Sequence, residues 1–273
     1  MKLTVLGSGS RGNAVLVESD RTRLLIDAGF TARELERRLL AVDVPPGALT
    51  ALWITHEHRD HTIGMGVFAR RYGLPIYLTE GTRNACADLL NGCGRLRLYR
   101  PAHAVTIGAL RVEPFLTAHD AADPVSVTVT EPATGHRVGL ATDVGAPTAG
   151  VRHALRGCHV LVLEANHDEI LLREGPYPKS VVSRIAGRHG HLSNRAAARL
   201  AADLHHDDLT AVVLAHLSRE CNRPELARTA VADALARVRY RGALLLAGQD
   251  EPLGPIDVGD GLRRLAPPQL SLW

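Results

Sequence analysis

With 273 residues, the chain is long enough for one large domain or two small ones, and for a sizeable buried core. A 45% apolar content excludes a disordered chain, and with aromatics at 4% the core must rest on Leu, Val, Ile and Ala. A formal charge of +3 excludes the strong positive balance of a dedicated nucleic-acid binder, though not nucleic acid as a substrate.

The chain opens on an apolar strand, KLTVLG (2–7), which ends in a Gly-rich turn, GSGSRGN. An opening strand in place of a signal peptide predicts a cytoplasmic protein. Cys86, Cys93, Cys158 and Cys221 are scattered, form no CxxC pair, and read as reduced thiols. No apolar run reaches the length of a membrane span, so no membrane is expected.

AVLVES (14–19) alternates, and RLLIDAG (23–29) is a third strand. TARELERRLLAV (31–42) has helical spacing, with Thr31 as its N-cap. ALWIT (51–55) is a strand that ends at HEHRDH. GVFARRYG (66–73) and GTRNACADLL (81–90) read as helices around the strand PIYLT (75–79). Strands follow over LRLYR (96–100), AVTIG (104–108), LRVEPFLT (110–117), VSVTVTE (125–131) and RVGLATD (137–143), with ATGH (133–136) as a hairpin turn.

HVLVLEA (159–165) is a buried strand. Helices over 179–190, 193–205 and 223–238 then accompany strands LTAVVLAH (209–216) and GALLLAG (242–248). No linker or repeat interrupts this order. It predicts one domain over 1–273, two β-sheets covered by helices on their outer faces, with a surface tail over 250–273.

The chemistry concentrates in HEHRDH. On a continuing strand His56, His58 and Asp60 would point one way, with His61 beside them. Titratable groups crowded on one point repel or stay desolvated unless something offsets them. A divalent cation does so, and imidazole and carboxylate are ligands for zinc, manganese or iron. Four ligands in one loop do not close a single tetrahedral site comfortably. Two adjacent ions are the natural alternative, and they require further ligands from elsewhere. His119, Asp143 and His216 each follow an apolar strand and supply those ligand types. Asp27, ending another strand, can buttress the cluster from behind.

HEHRDH resembles the HxHxDH signature of the metallo-β-lactamase-fold hydrolases. IDAG, AHDAADP, ATDVG and LAHLS resemble that superfamily's other ligand motifs in the expected order, over roughly residues 1–250. The resemblance implies an αββα sandwich of two mixed β-sheets flanked by helices, with two divalent metal ions per chain at one edge. His56, His58 and His119 would hold the first ion. Asp60, His61 and His216 would hold the second, and Asp143 would bridge them.

AHDAADP resembles a segment of ribonuclease J-like enzymes. LEANHD and GHLSN resemble the acidic and histidine segments of ribonuclease Z, with Glu164 and His191 at the matching positions. Such a pair implies a proton shuttle to the leaving group. The set GSGSRGNA, THEHRDH, EANHD, GPYP, GHLSN and LAHLSRECN is similar to the YycJ/WalJ-type branch. That branch implies a phosphodiesterase acting on nucleic acid, a 5′ exonuclease on DNA. The short span from Asp143 to His216 leaves no room for an added nucleic-acid clamp, so an open cleft engaging few nucleotides is expected.

Mechanistically, Asp60 would ligate and orient the attacking water, and His191, positioned by Glu164, would protonate the leaving oxygen. His191 could instead be a loop residue before a helix that begins at Ser193 or Asn194. Possible substrate contacts are His167, Ser10, Arg219 and Asn222, each with a structural alternative. Asp168 shares the ambiguity of His167. Backbone amides of Ser8, Ser10, Arg11, Gly12 and Asn13 could hold a phosphate. Arg59, Arg184, Arg188, Arg195 and Arg223 join Arg11 as candidate basic residues of the cleft. Two rival readings stand: a hydrolase of a small phosphodiester or thioester, and a non-catalytic metal-stabilised binding module.

Overall fold

The computed structural model describes residues 1–266. Lys2–Gly7 (β1), Ala14–Ser19 (β2) and Thr22–Ile26 (β3) form an antiparallel meander. Ala32–Leu40 (α1) follows, with Thr31 accepting from the Glu34 amide at 3.3 Å as its cap. Ala51–Trp53 (β4) then runs parallel to β3. Arg59–Thr62 (α2) and Met65–Tyr72 (α3) lead to Ile76–Leu78 (β5). Glu80–Ala85 (α4) leads to Leu96–Leu98 (β6).

Val105–Ile107 (β7), Leu110–Leu116 (β8), Val125–Glu131 (β9) and His136–Ala141 (β10) pair antiparallel in succession. Ala149–Leu155 (α5) crosses to Val160–Glu164 (β11), parallel to β10. Glu169–Glu174 (α6), Lys179–Ile185 (α7) and Asn194–Asp203 (α8) lead to Ala211–Ala215 (β12). Pro224–Arg237 (α9), Ala243–Leu246 (β13), Leu253–Asp257 (β14) and Val258–Leu265 (α10) complete the described chain.

Among the described residues the strands form two seven-stranded sheets, ordered β14-β1-β2-β3-β4-β5-β6 and β13-β12-β11-β10-β9-β8-β7. Side-chain alternation builds the layers. On β11, Val160 and Val162 enter the core between the sheets, while Leu161 and Leu163 face the core under α8 and α9. On β2, Val15 and Val17 point inward and Leu16 outward, towards Leu35 and Phe68. Both faces of each sheet are therefore covered, which explains why the strands read as near-continuous apolar runs. The result is the expected αββα sandwich.

Strand direction positions the site. β3 is parallel to β4, and β10, β11 and β12 are mutually parallel. β8 runs with β10, because each is antiparallel to β9. The carboxyl ends within each set therefore open on one edge. Asp27 follows β3, HEHRDH follows β4, His119 follows β8, Asp143 follows β10, Glu164 ends β11 and His216 follows β12.

Several boundaries differ from the sequence expectation. The helix expected over 179–190 stops at Ile185, and the one expected over 81–90 stops at Ala85. α5 and α6 were not legible, being too short to show a periodic face. The segment expected as a surface tail from residue 250 carries a strand and a helix, and of its described residues only Val258 is buried. β14 pairs antiparallel with β1 and Val258 is fully buried, so the segment covers an otherwise open sheet edge. Residues 267–273 of that tail lie outside the described residues. No helix among the described residues is long and apolar enough to cross a membrane.

Candidate metal centre

The cluster begins where β4 ends. Asp60 and His61 ride on the single turn of α2, which starts directly after His58. Thr62 locks this turn by donating to the carbonyls of Glu57 and His58 at 3.1 and 2.9 Å. Asp27 stands behind it, accepting from the Thr55 amide at 2.9 Å and meeting His61 Nδ1 at 2.7 Å. A carboxylate only accepts, so His61 Nδ1 carries the proton and Nε2 is left free as a ligand. Gly29 permits the close approach of this segment. A Cβ there would meet the Asp60 carbonyl oxygen at 1.6 Å.

His56, His58 and His119 form the first group, with potential ligand atoms within 4.8 Å of one another. His119 Nδ1 lies 3.1 Å from the Gly190 carbonyl, which fixes its proton there and frees Nε2. That Nε2 sits 3.2 Å from His58 Nδ1. The buried His56 Nε2 has no hydrogen-bond partner. Asp60, His61 and His216 form the second group. His216 Nε2 approaches Asp60 Oδ2 at 3.4 Å. Asp143 stands between the groups, with Oδ2 3.1 Å from His61 Nε2 and Oδ1 3.7 Å from His119 Nε2. Its Oδ2 accepts no hydrogen bond although buried. Orphaned buried lone pairs aimed at a common point are what a cation would satisfy, so the residues fit a metal centre.

The electrostatics agree. Burial pushes His56 well below its ordinary pKa, into the neutral form that ligates. Burial would raise Asp143, but the His216 and His61 imidazoles outweigh it and hold its carboxyl well below the usual range. Burial likewise opposes charge on His61 and His216, yet the Asp143 carboxylate pulls both well above the usual value. The carboxylates thus demand positive charge at this place. Asp27, Asp143 and His216 have φ of 62°, 58° and 53°, a left-handed conformation uncommon outside Gly and Asn. Three such residues at three strand ends mark a site that overrides local preference.

Glu164 is fully buried. Its Oε1 meets both His191 Nδ1 and His216 Nδ1 at 2.8 Å, and its Oε2 accepts from the Val144 and Leu192 amides at 3.0 and 2.9 Å. Burial raises its pKa, but the neighbouring His191 and the His216 hydrogen bond prevail and hold it at about 2. The expected Glu164–His191 contact is present. Its sharing with the His216 ring was not foreseen.

Ser10, Asp60, Tyr177, Arg184 and His191 line an open cleft over the two groups. The other candidates fall elsewhere. Asn222 is corrected as a substrate residue: it is buried and its amide binds Asn194, Ala165 and Asn166, so it braces the loops. Arg219 forms a two-pronged ion pair with Asp250 at 2.6 and 2.7 Å, which takes the guanidinium from the cleft. His167 is buried and bridges Ser193, and Asp168 caps α6.

Most of the Gly-rich turn is not a phosphate cradle: the amides of Ser8, Arg11, Gly12 and Asn13 bond within the protein, and only Ser10 of the expected five both lines the cleft and makes no such bond among the described residues. Asn13 instead supports the cluster, donating its amide N–H to the Asp60 carbonyl at 2.8 Å and placing Nδ2 3.1 Å from His61 Nε2. Of the candidate arginines Arg184 lines the cleft, and Arg195 pairs with Glu169.

Comparison with known proteins accords with this geometry. A family profile described as Beta-lactamase superfamily domain matches residues 22–217. The chain is 35% identical over 237 residues to a protein named exodeoxyribonuclease YycJ from Bacillus anthracis, covering 86% of this chain and 89% of that one. It is 31% identical over 240 residues to exodeoxyribonuclease WalJ from Streptococcus pneumoniae, covering 86% and 88%. In structure it resembles the metallo-β-lactamase-fold protein YhfI from Bacillus subtilis, with a TM-score of 0.71 and 19% identity over 93% of this chain and 99% of that one. The chain belongs to the β-lactamase superfamily, on its metallo-hydrolase fold.

Proposed function

We propose that the chain is a two-metal phosphodiesterase that removes nucleotides from DNA, working from the 5′ end. The observation that carries this reading is one edge that joins two ligand groups to a histidine held for proton transfer. His56, His58 and His119 would hold one divalent ion, Asp60, His61 and His216 the other, with Asp143 between them. Zinc or manganese suits this mixed donor set, and iron is compatible with it. Bound ions supply an acidified water and positive charge for the phosphoryl oxygens.

The chain's own residues do the rest. Asp60 accepts from the attacking water and orients it. Glu164 accepts a hydrogen bond from His191 Nδ1–H at 2.8 Å, which turns Nε2 towards the leaving oxygen. An imidazolium there donates its proton as the phosphorus–oxygen bond breaks. DNA as substrate is supported by the names of the two sequence relatives, both exodeoxyribonucleases. The openness of the cleft favours a polymer end over a small enclosed ester. The four cysteines, free in this structure, suit the cytoplasm.

The test is hydrolysis of single- and double-stranded DNA and RNA, labelled at either end, with Mn²⁺ or Zn²⁺. Metal-dependent release of mononucleotides from 5′ DNA ends, abolished in Asp60→Ala, is expected. Cleavage of a small phosphodiester or thioester without any action on DNA would overturn the substrate assignment. Binding of metal with no turnover of any ester would favour a metal-stabilised binding module.

A further inference from the structure

The phosphodiester chemistry leaves one wall of the cleft without a role. Not one residue of α7 is buried. Yet Val181 and Ile185 on that helix, and Tyr177 just before it, line the same cleft as Asp60 and His191. Val181 and Ile185, four apart, share one face of α7, and Tyr177 joins them on the cleft from the segment before the Pro178 cap. Core packing does not account for them, because none belongs to the apolar cluster behind the second sheet. Polar ties hold the helix instead. Arg184 Nη1 reaches Asp120 Oδ2 at 2.9 Å, and the His191 amide donates to the Ile185 carbonyl at 2.9 Å. That second bond fixes the apolar face relative to His191 itself.

Resting on the nuclease reading above, we propose that Tyr177, Val181 and Ile185 form the slot for the nucleobase of the terminal nucleotide, with the Tyr177 ring stacking on it. Half-exposed apolar groups beside a polar metal cluster suit a ligand that is flat and apolar on one part and anionic on another. A nucleotide has that division: its base meets the α7 wall while its phosphate lies over the ligand groups. Val181 and Ile185 carry no side-chain hydrogen-bonding group, so this wall grips the face of a base and does not read its edge. All four bases are then accepted, as a nuclease that moves along a strand requires. Tyr177 sits in GPYP, where the flanking prolines fix the local backbone and limit the entropy lost on stacking.

The test compares kcat/KM on oligodeoxynucleotides whose terminal nucleotide is either natural or abasic. Removing a stacking ring lowers binding by roughly 5- to 150-fold. Tyr177→Ala is expected to lose about that factor on natural ends, and Tyr177→Phe to keep most of the activity. The wild-type protein should lose a similar factor on abasic ends, and the two losses should not multiply. Equal losses for Tyr177→Ala on natural and abasic ends would overturn the slot, as would a loss in Tyr177→Phe as large as in Tyr177→Ala. A wild-type protein that cuts natural DNA but makes no distinction between the ends would sink this inference alone. A wild-type protein that cuts neither would sink the nuclease reading and the slot with it.

Discussion

His191 and Glu164 give the account its sharpest residue-level consequence. His191→Ala should lower kcat on DNA by about 10²- to 10⁴-fold, the usual worth of a placed acid. On thymidine 5′-(p-nitrophenyl phosphate) the loss should be far smaller, because a nitrophenolate departs without a proton. Equal losses on both substrates would assign His191 a merely structural part. The pH profile follows from the same contact. Burial disfavours the charged ring, but the Glu164 carboxylate outweighs it and raises the His191 pKa above its ordinary 6.5. The donor is the protonated form. Activity should therefore persist above the ordinary histidine range and fall as pH rises through the raised value. A His191→Ala variant should lack that alkaline limb.

At the level of single elements, α1 shows how a buried cation is accommodated. Arg38 is buried, donates to the Leu6 carbonyl at 2.6 Å and to Glu34 at 2.7 Å, and lies 4.0 Å over the Phe30 ring. Glu34 also takes two hydrogen bonds from Arg37, at 2.9 and 2.7 Å. The Arg37 bond, followed by that from Arg38, holds its pKa down from 4.5 to about 2. A depressed carboxyl stabilises fully above its unfolded value, and the contribution is lost as pH falls through the folded value. Glu34→Gln should then cost about 1 kcal/mol at neutral pH, allowing for solvent screening, or about 2–4 °C in Tm. The gap from wild type should close as pH falls from 4.5 towards about 2. A gap independent of pH would show that the charge of Glu34 is not the cause.

Legibility followed the same divide between strong and weak local signals. Strands such as HVLVLEA were legible as near-continuous apolar runs because both their faces are buried, and helices such as RPELARTAVADALARV because one buried face imposes a period. α5 and α6 were not, since each is a short turn set by Thr148 or Asp168 as cap. β14 was hidden by its Gly and Pro, which sit at a sheet edge where ladder bonds can be spared. Asp60 and His61 were marked by the crowding of titratable groups in HEHRDH. The roles of Asn13 and Asn222 were not, because a side-chain amide bracing a distant loop leaves no spacing in the sequence.

Across the whole molecule, the two sheets converge on one edge that gathers residues from six strand ends. No single segment contains a complete site: the first sheet brings Asp27 and HEHRDH, and the second brings His119, Asp143, Glu164 and His216. The centre therefore exists only when the sandwich is assembled, and ions that bind it should stabilise the fold. The measurement that tests the central claim most directly is a metal titration of chelator-stripped protein, with bound ion and DNA hydrolysis followed on the same samples. The account predicts two ions per chain in the wild-type protein, hydrolysis that rises as the second binds, and loss of both the second ion and the activity in Asp60→Ala. Full hydrolysis of DNA with one ion bound, or with chelator present, would contradict it.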